Sequence, residues 1–174
     1  VNYVRDAGTY SYALNNDGLD SFSGTAGHST IQFDNRNQMP RLSRFLFSNW
    51  LTTSEMYHSE KQNKMGVSYT SSDNKYHSRF VEKIKKGWLI QDEIKGEFKF
   101  AILRYILPLD DWSVSIDNVS NKKINLNISS NHSIKIKIIE RSESLYYMKK
   151  EPVTVLEIET YSNCFINTKL TFLN

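Results

Sequence analysis

The fold this sequence predicts is all-β, a two-layer antiparallel β-sandwich, and three observations predict it. Apolar and polar residues alternate with period two through the second half of the chain. Runs rich in β-branched and aromatic residues recur at short spacing, with turn-forming residues between them. No stretch carries a capped helical period over about twelve residues. Many short strands, each with one buried face, are satisfied by two packed antiparallel sheets.

Taken in order, the opening VNYVRD has the alternation of a strand entered midway, as expected of a piece of a longer protein. HSTIQFDN (28–35) is a strand closed by the turn formers Asp34 and Asn35. MPRLSRFLFSNWLTTSEM (39–56) is the ambiguous stretch, because Leu42, Phe45, Leu46 and Trp50 could share a helix face. YHSRFVEKI (76–84), GWLIQDEI (87–94) and EFKFAILRYIL (97–107) are consecutive strands separated by KKG and KGE turns. KINLNI sets Ile124, Leu126 and Ile128 against Asn125 and Asn127, and SIKIKII sets Ile134, Ile136 and Ile138 against Lys135 and Lys137. VTVLEIE and CFINTKLTFL are the closing strands.

The length of 174 residues suits a single domain, 1–174, with a sizeable core. Hydrophobic residues at 39% and aromatics at 13% place the chain among folded rather than disordered sequences. A net charge of +3 is too mild to imply nucleic acid. The basic run KIKK (83–86) fits a solvated turn or guarded strand edge. Cys164 is the one cysteine, so no internal disulfide forms; its strand context makes it a small buried residue rather than a nucleophile. No apolar run reaches the roughly 18 residues of a membrane helix, so no membrane insertion is expected. No signal segment opens the chain.

Asp6 and His28 are the chemistry-bearing pair of the N-terminal stretch, separated by glycines and small hydroxyl residues. A carboxylate and an imidazole on neighbouring elements can share a metal ion or simply hydrogen-bond within a polar loop. Tyr10 and Tyr12 alternate as on a strand and could line a cleft or a core. His77 and Arg79 share a strand face, where the guanidinium could bind a ligand carboxylate or take part in a cross-strand ion pair. Trp50, Trp88 and Trp112 could stack on a ligand ring, although the apolar context of Trp88 favours the core. Asp17 and Asp20 flank Gly18 as turn formers. His58 and His132 fit exposed loops. No nucleophile elbow, phosphate loop or Cys–His arrangement is present.

Residues 4–38 carry a resemblance. VRDAGTYSYA followed by DSFSGTAGHSTIQFDNRNQ resembles the C-terminal domain of heparinase II/III-like polysaccharide lyases, whose members show Val-Asp-Pro-Gly-Thr-Tyr-x-Tyr and then Phe-Arg-Ser-Thr-x-x-His-Asn-Thr. Val4, Asp6, Gly8, Thr9, Tyr10 and Tyr12 match the first segment, and Phe22, Thr25, His28, Thr30, Asp34 and Gln38 the second and its following strand. Weaker echoes run through YHSRFVEKIKKGWLIQDEIKG and SESLYYMKKEPVTVLEI. Ala7 stands for the usual Pro, Ser23 for the Arg and Ser29 for the Asn.

The resemblance implies a β-sandwich joined to an N-terminal helical toroid of the same parent chain. It implies β-elimination on an acidic, uronate-containing polysaccharide, and a bacterial protein of the periplasm or cytoplasm. It makes Asp6 and His28 zinc ligands. The third ligand lies in a His-x-His-x-Asp segment that precedes the Asp-Pro-Gly segment in the family and is missing from this chain. The chain would then form one cleft wall and a metal-anchored loop, with Tyr10, Tyr12, His77 and Arg79 as candidate substrate contacts, and would not cleave alone. The alternative is a non-catalytic module that binds an acidic glycan or serves as structure.

Overall fold

The computed structural model describes residues 2–13, 21–43 and 45–173. Asp17, Gly18 and Asp20 lie outside the described residues. Two antiparallel sheets account for most of the described chain, in agreement with the all-β expectation. The chain forms two compact units, one from residues 1–50, 99–110 and 135–159, the other from 51–98, 111–134 and 160–174.

The first unit holds a four-stranded sheet of order β1-β6-β11-β10, with β1 at Ile31–Phe33, β6 at Ala101–Leu107, β10 at Ile134–Tyr146 and β11 at Lys149–Thr160. β1 lies antiparallel to β6, with Gln32 opposite Ile102. The seven residues of β6 are buried on both faces, which is why AILRYIL shows no alternation. On one face Ile106, Val153 and Val155 pack with Ala7 and Phe22 of the N-terminal segment. That segment also guards the edge of β10. Ser144 N donates to the Ala7 carbonyl (2.6 Å) and Met148 N to that of Tyr10 (2.8 Å).

The second unit holds an eight-stranded sheet. Its order is β2 (Thr52–Ser59), β3 (Lys64–Thr70), β4 (Tyr76–Ile84), β5 (Gly87–Lys95), β12 (Cys164–Phe172), β9 (Ile124–Ser130), β8 (Asn118–Ser120) and β7 (Ser113–Val114). Lys85 and Lys86 form the two-residue turn between β4 and β5, as the solvated-turn reading of KIKK expects. Alternation is literal here: Ile124, Leu126 and Ile128 are buried while Asn127 faces solvent. Cys164 is buried, and burial pushes its thiol above the ordinary range, so it acts as packing material.

Three expectations are corrected, at VNYVRD, His58 and Trp88; the ambiguous stretch is resolved, and one hairpin is new. The described residues of 39–51 form no helix: Arg41 bridges to Phe47, while Leu42, Phe45, Leu46 and Trp50 are exposed. VNYVRD contributes one bridge, Arg5 to Ile106, rather than a strand. The β2–β3 hairpin has no counterpart in the sequence reading, because β2 is polar and exposed on both faces and so lacks alternation. His58 lies on that strand, not in a loop, and Trp88 is 38% exposed instead of in the core. No helix among the described residues is long and apolar enough to cross a membrane.

Candidate functional site

Asp6 is held between two backbone anchors. Arg5 N donates to the Ile106 carbonyl of β6 (3.1 Å), and Ala7 N donates to Gly27 O (2.8 Å). Gly8 follows in the left-handed region at φ 74°, where a Cβ would run into the Ser144 carbonyl. Gly8→Ala is therefore expected to cost about 2 kcal/mol or more through backbone strain, read as a lowered midpoint in urea denaturation.

His28 follows a single 3₁₀ turn, Thr25–Gly27. Several residues of the family pattern clamp this turn rather than do chemistry. Thr25 N donates to Asn37 Oδ1 (2.9 Å), and Thr25 Oγ1 accepts from Gln38 N (2.7 Å). The Gln38 side-chain amide reaches Ile31 O (2.9 Å). Asp34, at φ 51°, accepts from Lys99 N (2.8 Å) and Phe100 N (3.2 Å). The turn predicted at Asp34 and Asn35 thus also ties β1 to the segment entering β6.

These constraints place His28 Nδ1 3.2 Å from Asp6 Oδ2. Both side chains are half open, 44% and 57% exposed for His28 and Asp6. The hydrogen bond to His28 is the main force lowering the Asp6 pKa; Ser29 N, 3.0 Å from Oδ1, adds to it, and burial opposes. The same bond raises His28 above the ordinary 6.5, against burial. Histidine's contribution to the pairing is therefore complete below pH about 6.5 and lost as pH rises through the raised value. Aspartate's contribution is present above its ordinary value and lost as pH falls through the lowered one. The loop is held best between those two limits.

Two donors bound to one tetrahedral zinc at 2.0–2.1 Å lie about 3.3 Å apart. The observed spacing fits joint ligation, and the open side leaves room for further ligands. Among the described residues no group of three or more His, Cys, Asp or Glu side chains converges, so within them Asp6 and His28 stand as a pair.

The remaining predicted residues have partners of their own. Tyr10 stacks on Phe22 (5.8 Å between centroids, 25°), with Lys150 Nζ 4.5 Å above its ring. Tyr12 points elsewhere and is exposed, with Phe45 and Tyr147 as ring neighbours. The two do not share a strand face, because residues 9–13 form no strand. His77 and Arg79 lie on β4 in the second unit, both engaged by Asp92 of β5: His77 Nε2 and Arg79 Nε lie 2.8 and 2.7 Å from Asp92 Oδ1. This is the cross-strand ion pair weighed above.

Sequence reasoning missed three participants. Ser29, noted only as a departure, donates to Arg5 O (2.6 Å) and accepts from Ile106 N (2.9 Å), so it knits the Asp6 segment to β6. Glu143 is buried beside Arg5 (3.1 Å), its pKa raised by burial against the pull of the arginine. Arg41 donates to Ser23 Oγ (2.6 Å), so a guanidinium arrives from further along the chain beside the position where the family pattern has arginine. None of these pairs is signalled by local spacing, because the partners are distant in sequence.

The comparisons agree with this architecture. The family model described as heparinase II/III-like, C-terminal, matches residues 1–151. A heparinase III, the BT4657 gene product with methylated lysines, superposes with a TM-score of 0.75 at 18% identity, over 99% of this chain and 28% of that one. Heparan sulfate lyase HepC from Pedobacter heparinus gives 0.69 at 21% identity, over 100% of this chain and 29% of that one. A further heparinase III gives 0.73 at 16%, over 100% and 28%. The chain thus spans under a third of the length of these structures. No curated protein matches. With 1–151 of 174 residues matched by the family model, this chain belongs to the heparinase II/III-like C-terminal family.

Proposed function

We propose that this chain is the C-terminal β-domain of a polysaccharide lyase that acts by β-elimination on an acidic, uronate-containing polysaccharide. Its part is to form one wall of the substrate cleft and to present a loop anchored by a metal. The observation that carries this is the Asp6–His28 pair, prearranged at 3.2 Å by backbone anchors on both sides. Zinc is the ion that an imidazole and a carboxylate at this spacing suit, with the remaining ligands supplied from outside the chain. Bound there, it ties the N-terminal segment to the turn before β1 and leaves proton transfer to other groups. Elimination needs a neutralised uronate carboxylate, a base for the C5 proton and an acid for the leaving oxygen. Base and acid belong to the N-terminal helical domain of the parent and to the segment preceding this one.

A basic row supports an acidic polymer as partner. Lys135, Lys137 and Arg141 project from one side of the edge strand β10, and Glu157 is the carboxylate that Lys137 and Arg141 share. This row suits an acidic glycan whether or not cleavage follows.

Zinc content of the full-length protein, measured by plasma mass spectrometry, tests the reading. About one zinc per chain is expected, falling to near zero in His28→Ala and Asp6→Ala. Zinc affinity is expected to rise with pH through the raised His28 pKa, since the ligand is the neutral imidazole. Unsaturated uronate released from heparan sulfate should fall with the zinc. A zinc-free wild type that still cleaves would remove the metal from the proposal. A zinc-loaded protein inert on every uronate polymer would remove the lyase.

A further inference from the structure

The β2–β3–β4 corner of the second unit contains a cavity of about 290 Å³ lined by Glu55, Tyr57, Gly66, Ser68, Tyr76 and Phe80. Register explains why these side chains meet. Tyr57 lies opposite Gly66, and Gly66 opposite Phe80. A bulge between Thr53 and Glu55 sets Glu55 opposite Ser68. Bulges re-aim side chains and recur beside binding sites. Gly66 is required: the Phe80 ring lies across it, and a Cβ there would collide with three ring carbons. The Tyr57 ring stands edge-on to Phe80, 5.8 Å away at 63°.

The polar groups are few. Ser68 is 4% exposed, and its hydroxyl has no hydrogen-bond partner among the described residues. An enclosed hydroxyl without a partner carries a desolvation cost that nothing in the fold offsets. Glu55, on the exposed strand, is the one carboxylate in the lining. The neighbouring cations are already engaged. Lys64 Nζ donates to Gln91 (2.8 Å) and sits 5.1 Å above Phe80. Lys95 pairs with Glu93 and sits 5.5 Å from the Tyr76 ring centre.

Aromatic walls, one carboxylate and one hydroxyl in a small open pocket suit a ligand with an apolar face and a hydroxylated edge. We propose that this pocket is a carbohydrate-binding site for one neutral pyranose ring, stacked on the Tyr57–Phe80 wall and hydrogen-bonded through Glu55 and Ser68. The carboxylate of Glu55 accepts from sugar hydroxyls and repels a uronate or sulfate. The pocket therefore selects a different sugar from the one that β-elimination requires, and holds a glycan by a unit that does not react.

The test is saturation-transfer NMR on the full-length protein with neutral tetrasaccharides (chitotetraose, cellotetraose and mannotetraose) at millimolar concentration. At least one is expected to bind saturably. Tyr57→Ala and Glu55→Gln should each weaken it about tenfold, roughly one charge-assisted hydrogen bond or stacked ring. Ser68→Ala should weaken it several-fold while leaving the melting temperature unchanged or raised, since it removes an unpartnered buried hydroxyl. That pair of readouts separates ligand binding from a purely structural serine. Binding unaltered in Tyr57→Ala and Glu55→Gln, or no binding by any of the three sugars, overturns the site. Equal competition by a heparin tetrasaccharide overturns the preference for neutral sugar. Zinc content and elimination rate are read separately, so failure of the lyase reading and failure of this pocket are distinguishable.

Discussion

Replacing Glu157 by alanine is expected to destabilise the four-stranded unit by about 3–5 kcal/mol, the cost of stranding a buried charge. The carboxylate is the hub of a row that crosses the whole sheet. Arg104 Nε of β6 donates to its Oε1 at 2.8 Å, and Arg104 Nη1 continues to Gln32 of β1 at 2.7 Å. From β10, Arg141 Nη2 reaches Oε1 at 3.2 Å and Lys137 Nζ reaches Oε2 at 3.1 Å. Arg104 is buried, and burial pulls its pKa below the usual range against the hydrogen bond and charge of Glu157. Without that carboxylate, Arg104 keeps the burial and loses the compensation. Arg141 also donates to Ala26 O (3.3 Å), so the turn before His28 would loosen with it.

The pH dependence follows in sign. Burial raises the Glu157 pKa, but Arg104 and Lys137 outweigh it and the net shift is downward. Its stabilisation is therefore fully present above about pH 4.5 and lost as pH falls through the lowered value. Urea denaturation of wild type and Glu157→Ala should converge at acid pH. A wild type no more stable than Glu157→Ala at neutral pH would show that the carboxylate is not the hub. Glu157→Gln, which keeps an acceptor, should lose less than Glu157→Ala.

Asp92→Ala is expected to have an effect of similar size, about 3–5 kcal/mol, in the eight-stranded unit. Asp92 is buried on β5, and a single oxygen, Oδ1, meets both His77 and Arg79 of β4. Burial pushes its pKa up, yet the charge of Arg79 and the hydrogen bond from His77 outweigh it and leave it lowered. This carboxylate too stabilises the fold above the ordinary aspartate range and ceases to as pH falls through the lowered value. Asp92→Asn separates charge from hydrogen bonding: it should recover part of the loss and remove most of the acid sensitivity. A melting temperature unchanged in Asp92→Ala would mean that His77 and Arg79 do not depend on it. They would then be available for a ligand carboxylate, as the substrate-contact expectation holds.

Much of the architecture was legible before any coordinates. β4, β5, β9, β11 and β12 lie where alternation and branched residues put them, because a strand with one buried face writes its period into its side chains. The turn at Asp34 and Asn35 was legible for a local reason too, since both tolerate the positive φ they adopt (51° and 57°). β2 and β3 were not legible. Where both faces meet solvent, as along β2, nothing selects for alternation, and only pairing with a neighbouring strand defines the element. Residues 39–51 stayed ambiguous for a different reason: Leu42, Phe45 and Leu46 have helical spacing, yet they are exposed, so no burial selects a helix.

The sequence by itself determined the all-β class, the family resemblance in residues 4–38, and the identity of Asp6 and His28 as the pair to examine. These depend on local pattern and motif. Only the tertiary structure decided that Asp6 and His28 meet, and that Ser29 knits the Asp6 segment to β6. It also decided that Tyr10 and Tyr12 part company, that His77 and Arg79 converge on Asp92, and that Glu157 gathers three cations. Those outcomes are set by strand order and register, which bring together residues up to a hundred and more positions apart. A charge buried by such a pairing has no local signature, because its partner, and hence its free energy, exists only once the sheet has formed.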